Sequence, residues 1–518
     1  MAARFVRGLP KSFWTPLGLA EAEHILRKRF ERRESDFLTL VRRAVFDNPK
    51  SPYRLLMRFA GCEFEDLSKL VSQQGIEGAL GVLFREGVYL SLEEYKGRQP
   101  ILRGNLTFQA STHQFFNPLS SPHLRVQSSG SSGRSVPVFI DLRFARERAV
   151  NHLLTLQGRQ GMGWTHAVWG IPGSTDIMRV FELTALGRPP VRWFFQVHPN
   201  SPGLHPRYRW SVRFMRWLAA LSNVIIPRPE YVPLNNPLPI VLWLRSVLDE
   251  GKIPHLVTWV TPALNICQTA LMTGVDISGA AFSVGGEPLT ASRLAAIRNC
   301  GCAVALRFMS VECGYIAYGC LNPEAADESH IFHDMQALVQ PGKERGNSGL
   351  PANALLISSL RPLAPVVLMN VSLGDQAEIL YRECGCALQK LGWMRHLRTI
   401  RSLKRITCGG MTFLDADIVE VLEKKLPACF GGNPFDYQLI EEDRDDGQPV
   451  LKLIVSPRVG PLEENALLRS FLDALGSDSE AQRVMSDQWR HSGLISVERR
   501  FPAATAAGKI LPVLRLMR

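Results

Sequence analysis

From Pro16 to about Val88 apolar residues recur at three- and four-residue intervals, most regularly over Ala20–Val41 and Glu65–Leu83, which predicts a helical N-terminal part. After Arg103 the texture changes. Short apolar runs punctuated by Gly, Pro and Ser read as strands between helical stretches: Val136–Ile140, Val191–Val197, Val224–Pro227, Gly279–Val284, Ala303–Phe308 and Ala354–Ser358. That alternation predicts an α/β class. From about Ile406 the pattern shifts again, with Asp415–Lys425 as a helix, Val450–Val455 as a strand, Leu462–Leu475 as a helix and a tail bearing Gly and Lys. These elements suffice for a small α+β domain. The expected division is therefore 1–103, 104–403 and 404–518, without an internal repeat.

Length and composition agree with this picture. A chain of 518 residues exceeds one ordinary core, and 46% hydrophobic with 21% charged residues is a globular composition. No run of eighteen uncharged apolar residues occurs, and Met1–Lys11 lacks the apolar segment of a signal peptide, so a cytoplasmic location without a membrane span is expected. Sixty basic against 48 acidic residues give +12, the densest cluster being Arg207, Arg209, Arg213 and Arg216 among Tyr208, Trp210, Phe214 and Trp217. Nucleic-acid binders mix arginine with aromatics in this way, but an amphipathic helix with a solvated basic face explains the cluster as well, and no nucleic-acid partner is expected. Ten cysteines without a secretory signal point to metal binding, catalysis or plain burial rather than to disulfides.

The candidate chemistry begins at Ser128-Ser129-Gly130-Ser131-Ser132-Gly133-Arg134, a turn of glycines and hydroxyls ahead of an apolar strand. Glycines let backbone fold close around an anion, while hydroxyls and amides donate to phosphate oxygens. The lysine-serine ending and following helix of the Walker loop are missing, and a Ser/Gly-rich run by itself is as often a flexible loop. Further along stand Gly285-Gly286-Glu287-Pro288-Leu289, Phe308-Met309-Ser310-Val311-Glu312, Asn370-Val371-Ser372-Leu373-Gly374-Asp375, Arg401-Ser402-Leu403-Lys404 and Pro502-Ala503-Ala504-Thr505-Ala506-Ala507-Gly508-Lys509-Ile510.

In order and spacing these six segments, spread over 125–510, resemble the adenylate-forming superfamily, in particular its phenylacetate coenzyme A ligase and acyl-protein synthetase branch. The first loop is similar to that family's Ser/Thr-Ser-Gly-Thr/Ser-Thr-Gly-Lys-Pro, with Arg134 keeping the charge of the lysine. The resemblance implies a large N-terminal adenylate-forming domain and a small mobile α+β C-terminal domain. It implies ATP held by Ser128 to Arg134, Gly285, Gly286 and Glu287, with Phe308 stacked on adenine, Glu312 on magnesium and Asp375 on the ribose diol. Arg401 would reach the ribose or α-phosphate near the swivel, and Lys509 would bridge the carboxylate and α-phosphate. Departures from the pattern are Val311 in a hydroxyl place and Leu403-Lys404 where an acidic hinge is usual.

Cys320, His330, His333, Cys384 and Cys386 fall just after the magnesium and ribose positions, two places that the family fold makes neighbours. Three thiolates with one imidazole are the donors of a tetrahedral structural zinc, and the resemblance singles out Cys320, His330, Cys384 and Cys386. Cys300, Cys302 and Cys408 read as core residues. The implied activity is activation of an aryl or fatty acid to acyl-AMP with release of pyrophosphate, then transfer to a thiol, coenzyme A above all. A carrier protein or an amine as acceptor requires no different first step, and a non-catalytic nucleotide binder is the competing class. The acid would lie between Trp259 and the Gly285-Gly286 turn, along Thr261, Leu264, Cys267, Leu271 and Phe282.

Overall fold

The computed structural model describes residues 15–121, 123–127, 137–198, 206–221, 223–342, 348–402, 405–408, 411–444, 448–477, 480–503 and 510–516. Its N-terminal helices follow the periodicity closely: Leu19–Glu31, Arg33–Val41, Pro52–Phe59 and Phe64–Arg85. The last is kinked at Gly75, whose φ of 70° lies in the left-handed region that glycine adopts without a Cβ penalty. Two hairpins follow, β1 (Ile101–Arg103) with β2 (Leu106–Phe108) and β3 (Leu124–Gln127) with β4 (Pro137–Ile140).

The centre is a 12-stranded sheet. Its parallel half comprises β5 (Thr165–Gly170), β6 (Arg192–Phe195), β7 (Glu230–Tyr231), β8 (Pro254–Val257), β9 (Ala281–Gly285) and β10 (Ala303–Ser310). Its antiparallel half comprises β11 (Gly314–Gly319), β12 (Ser329–Ile331), β13 (Gln336–Val339), β14 (Ala354–Ser359), β15 (Val371–Tyr381) and β16 (Arg395–Ser402). Across the sheet the order is β7-β6-β5-β8-β9-β10-β11-β12-β16-β15-β14-β13. Chain order thus reverses beside β5, which has β6 on one side and β8 on the other, and such switch points open a crevice at the carboxyl ends of parallel strands. Helices Ser174–Ala185, after β5, and Val260–Thr273, after β8, flank that crevice.

A separate hydrophobic cluster, built around Ile406, Phe413, Leu439, Leu453, Phe471 and Trp489, belongs to the C-terminal residues. There β17 (Arg405–Cys408) and β18 (Met411–Leu414) form a hairpin, while β19 (Tyr437–Asp443), β20 (Pro449–Val455), β21 (Ile495–Arg499) and β22 (Val513–Leu516) form a sheet ordered β21-β20-β19-β22. Helices Glu464–Leu475 and Glu480–Ser492 cover it. The α/β class expected from the pattern is the one observed. Arg293 and Asp443, 2.6 Å apart and both buried, join the two parts. The run Val224–Pro227, expected as a strand, joins no sheet among the described residues: Pro227 and Pro229 cannot donate to a ladder, and pairing with β6 begins only at Glu230. No helix among the described residues is long and apolar enough to cross a membrane.

Candidate functional site

The strand ends gather most of the described candidates. Gly285 closes β9, Phe308 lies on β10, and Glu312 sits in the turn that carries β10 into β11. Gly286 has φ 77°, and a Cβ there would come within 2.4 Å of the Trp259 ring, so this close approach admits only glycine. A β-bulge between Phe308 and Met309 re-aims the strand just before Glu312. Phe308 is half-buried. Asp375 lies on β15 opposite Ser402 of β16, whose Oγ donates to Asp375 Oδ1 at 2.8 Å.

Burial pushes the Cys313 thiol up to about 12, and the Glu312 and Asp375 carboxylates add to the shift. Glu312 likewise adds to burial in raising the Tyr95 phenol. The Glu312 side chain is buried, and no hydrogen bond or ion pair ties it to a described residue. Its carboxylate oxygens suit a hard divalent cation, which prefers oxygen.

Glu287 also has a structural part. Its Oε2 accepts the Thr261 backbone N–H at 2.9 Å and the Thr261 hydroxyl at 2.5 Å, so it fastens the first turn of helix Val260–Thr273. Glu287→Ala should lower stability by about 1–3 kcal/mol, because both Thr261 donors are left buried without an acceptor; calorimetry showing an unchanged unfolding temperature would refute the capping role. Arg401 is also engaged: its Nη1 donates to Asp327 Oδ2 at 2.9 Å and to the Ile400 carbonyl at 2.7 Å. Asp327 additionally accepts the Thr399 and Ile400 amides, so Arg401 completes a local clamp on β16. Ser128, Ser129, Gly130, Ser131, Ser132, Gly133, Arg134, Leu403, Lys404 and Lys509 lie outside the described residues.

The expected acid wall takes another form. Leu271 is 68% exposed, Cys267 and Leu264 are in the core, and Thr261 is held by Glu287. The small cavity beside Ser310 and Val311 is lined instead by Arg148, Met178, Arg179 and Glu182. Arg148 pairs with Glu182 at 2.6 Å, Tyr315 donates to the same carboxylate at 2.6 Å, and Arg179 reaches Asp176 at 2.9 Å with its guanidinium 4.3 Å from the Trp259 ring centre. Burial raises Asp176 to about 7 in spite of Arg179. These residues escaped the sequence reading although their signal was present: Asp176, Arg179 and Glu182 are three-residue steps along an otherwise apolar helix.

The cysteine and histidine set does assemble. One donor atom from each of Cys320, His330, Cys384 and Cys386 lies within 4.8 Å of the others. Cys320 follows β11, His330 is on β12, and Cys384 and Cys386 are in the connection between β15 and β16. His330 Nδ1 is 2.7 Å from the Trp393 carbonyl, which fixes that nitrogen as the donor and turns Nε2, 3.2 Å from Cys386 Sγ and 3.6 Å from Cys384 Sγ, into a lone-pair bearer. Donation from Cys320 holds the Cys386 thiol far below its usual range. His333 stays outside, its ring 5.0 Å from that of Phe30. Cys300, Cys302 and Cys408 are buried in the core as expected.

No family model and no curated protein matches the sequence. Solved structures do. The chain resembles 2-hydroxyisobutyryl-CoA ligase in complex with 2-HIB-AMP and CoA, with a TM-score of 0.56 and 13% identity over 94% of this chain and 90% of that one. An amide bond synthetase from Marinactinospora thermotolerans aligns at a TM-score of 0.40 and 13% identity, over 79% of this chain and 71% of its own. An acyl-CoA synthetase (AMP-forming)/AMP-acid ligase II-like protein from Dyadobacter fermentans aligns at 0.30 and 16% identity, over 75% and 87%.

Proposed function

Since the chain has the fold of the adenylate-forming superfamily, we propose that it activates a carboxylic acid with ATP and passes the acyl group to a thiol, coenzyme A being the acceptor favoured. The observation that carries this reading is the fold, which overlays on a CoA ligase holding an acyl-AMP over 94% of this chain, with Glu312 in the turn after β10 and Asp375 on β15 held by Ser402. In the first step a substrate carboxylate oxygen attacks the α-phosphorus of ATP, the bond to the bridging oxygen breaks, and pyrophosphate leaves. In the second, a thiol sulfur attacks the acyl carbon, AMP leaves with its oxygen, and the thiol proton goes to solvent.

Each residue has a chemical part in this scheme. Asp375 offers two acceptor oxygens to the vicinal hydroxyls of the ribose, oriented by Ser402. Phe308 presents an aromatic face for the purine. Glu312 would hold magnesium, which neutralises charge on the phosphates. The segment Ser128 to Arg134 would cradle those phosphates, Gly285 and Gly286 line the approach, and Lys509 would balance the charge developing at the α-phosphate. Cys320, His330, Cys384 and Cys386 would hold a structural zinc, a closed site that supplies no open coordination position.

The test is ATP-pyrophosphate exchange across a panel of carboxylates. Exchange supported by at least one acid establishes adenylation; ATP binding without exchange for any acid would leave a nucleotide-binding module instead. Asp375→Ala should weaken ATP affinity by about 2 kcal/mol, the scale of a lost charge-assisted hydrogen bond. Calorimetric titration giving an unchanged ATP affinity would move the ribose site elsewhere.

A further inference from the structure

Helix Pro206–Leu221 bridges β6 and the segment leading to β7, at the edge of the large sheet. One face is buried: Val212, Met215 and Ala219 pack with Ile177, Val180 and Phe181 of the neighbouring helix. The opposite face ought to be polar on an ordinary surface helix. Here it is apolar. Trp210, Phe214, Trp217 and Leu221, spaced by four, three and four residues, form an exposed stripe, and Ile225 just beyond the helix end is 84% exposed. The two tryptophans are 68% and 57% exposed. Such a contiguous apolar patch on a soluble surface marks a place that something covers.

Charge decides what covers it. From Leu183 to Pro229 the chain carries seven arginines and no acidic residue. Arg213 is exposed beside the stripe, its guanidinium 5.8 Å from the Trp210 ring centre. A second copy of this chain would set arginine against arginine across a two-fold axis, which disfavours self-association through this face. Single-stranded nucleic acid stacks its bases on open ring faces, yet Phe214 and Trp217 stack on each other with centroids 6.0 Å apart and planes inclined by 26°, and Leu221 and Ile225 offer no stacking surface. Tryptophan, phenylalanine and leucine on one strip, with Arg213 alongside and no acidic residue in the helix, is instead the pattern of a helix lying in a lipid interface.

We propose that the exposed face of helix Pro206–Leu221, with Ile225, is a docking surface for an anionic lipid bilayer, which binds the protein peripherally. Trp210, Phe214, Trp217 and Leu221 enter the boundary between headgroups and acyl chains, and Arg213 beside them meets the lipid phosphates. The inference is independent of the proposed activity, because the surface lies on the solvent side of its helix and shares no residue with the crevice.

Co-sedimentation of the full chain with sucrose-loaded vesicles tests it, comparing pure phosphatidylcholine with a phosphatidylcholine–phosphatidylglycerol mixture. Binding should be at least tenfold tighter to the anionic vesicles, weaken with added salt, and shift tryptophan emission to the blue. Trp210→Ala/Trp217→Ala should lose that binding tenfold or more while circular dichroism stays that of the unsubstituted protein; Arg213→Glu should weaken it severalfold. Should the double variant fold poorly, Ile225→Ser, at a position outside the helix, supplies the same comparison. Equal binding to both vesicle types, or vesicle binding untouched by the tryptophan and Ile225 substitutions, overturns the proposal. So does capture of an acidic carrier domain or a single-stranded oligonucleotide through these tryptophans with no vesicle binding.

Discussion

Lys509→Ala should abolish ATP-pyrophosphate exchange, with a loss of roughly 10²–10³-fold or more, while thioester formation from a supplied acyl adenylate remains largely intact. The asymmetry follows from when charge develops. An ammonium between the carboxylate and the α-phosphate acts only while the acyl-phosphate bond forms; once AMP is the leaving group, its work is finished. The flanks of the segment that carries this lysine are fixed from one point. Gln438, buried on β19, donates through Nε2 to the carbonyls of Ala503 and Leu511 and accepts the Ala503 amide through Oε1. Both ends of the segment are thus tied to one side chain, and β22 runs parallel to β19 immediately afterwards. Stopped-flow or single-turnover assays of the two half-reactions separate the outcomes; equal loss in both would remove Lys509 from the first step.

The sequence was informative where chemistry and spacing coincide, and silent where tertiary contact decides. Asp375 could be picked out because Asn370 to Asp375 resembles the family's ribose-binding segment, yet the strand that carries it, β15, was not foreseen. Its alternation is broken at Gly374 and a bulge, and Asp375, Gln376 and Glu378 follow in quick succession, so no period of two is visible. Glu287 was picked out by the resemblance of Gly285-Gly286-Glu287 to the family's nucleotide-site turn; only the fold reveals that the helix start at Thr261 lies across from it. Periodicity identified the helix around Trp210 and gave it a solvated basic face, but a pattern with apolar residues on both faces does not state which one meets the core. The charged cavity was overlooked for a related reason. Arg148 and Glu182 come from different helices, and their pairing joins positions that no local pattern relates.

The zinc set illustrates the opposite case, where donor chemistry was legible and geometry then agreed, and it carries the largest expected effect on stability. Purified protein expressed with the metal available should contain about one equivalent of zinc, because three thiolates and one imidazole make a closed four-ligand site. The imidazole is already oriented by the Trp393 carbonyl, and Asn322 N–H and Arg382 lie 3.4 Å and 3.6 Å from Cys320 Sγ, where they would temper an excess of thiolate charge. Binding there ties the end of β11, strand β12 and the turn between β15 and β16 together. Release should therefore unclamp the strands that hold Asp375 and Arg401. Strong chelation, followed by return of magnesium alone, should lower the unfolding temperature by several degrees, and Cys384→Ser should do the same. Magnesium prefers oxygen donors and cannot restore the loss, whereas added zinc should. Residual exchange activity per folded molecule should change far less than stability, since a site with no open position does not touch substrate. Protein free of zinc by elemental analysis, together with an unaltered unfolding temperature for Cys384→Ser, would return all four residues to the ordinary core.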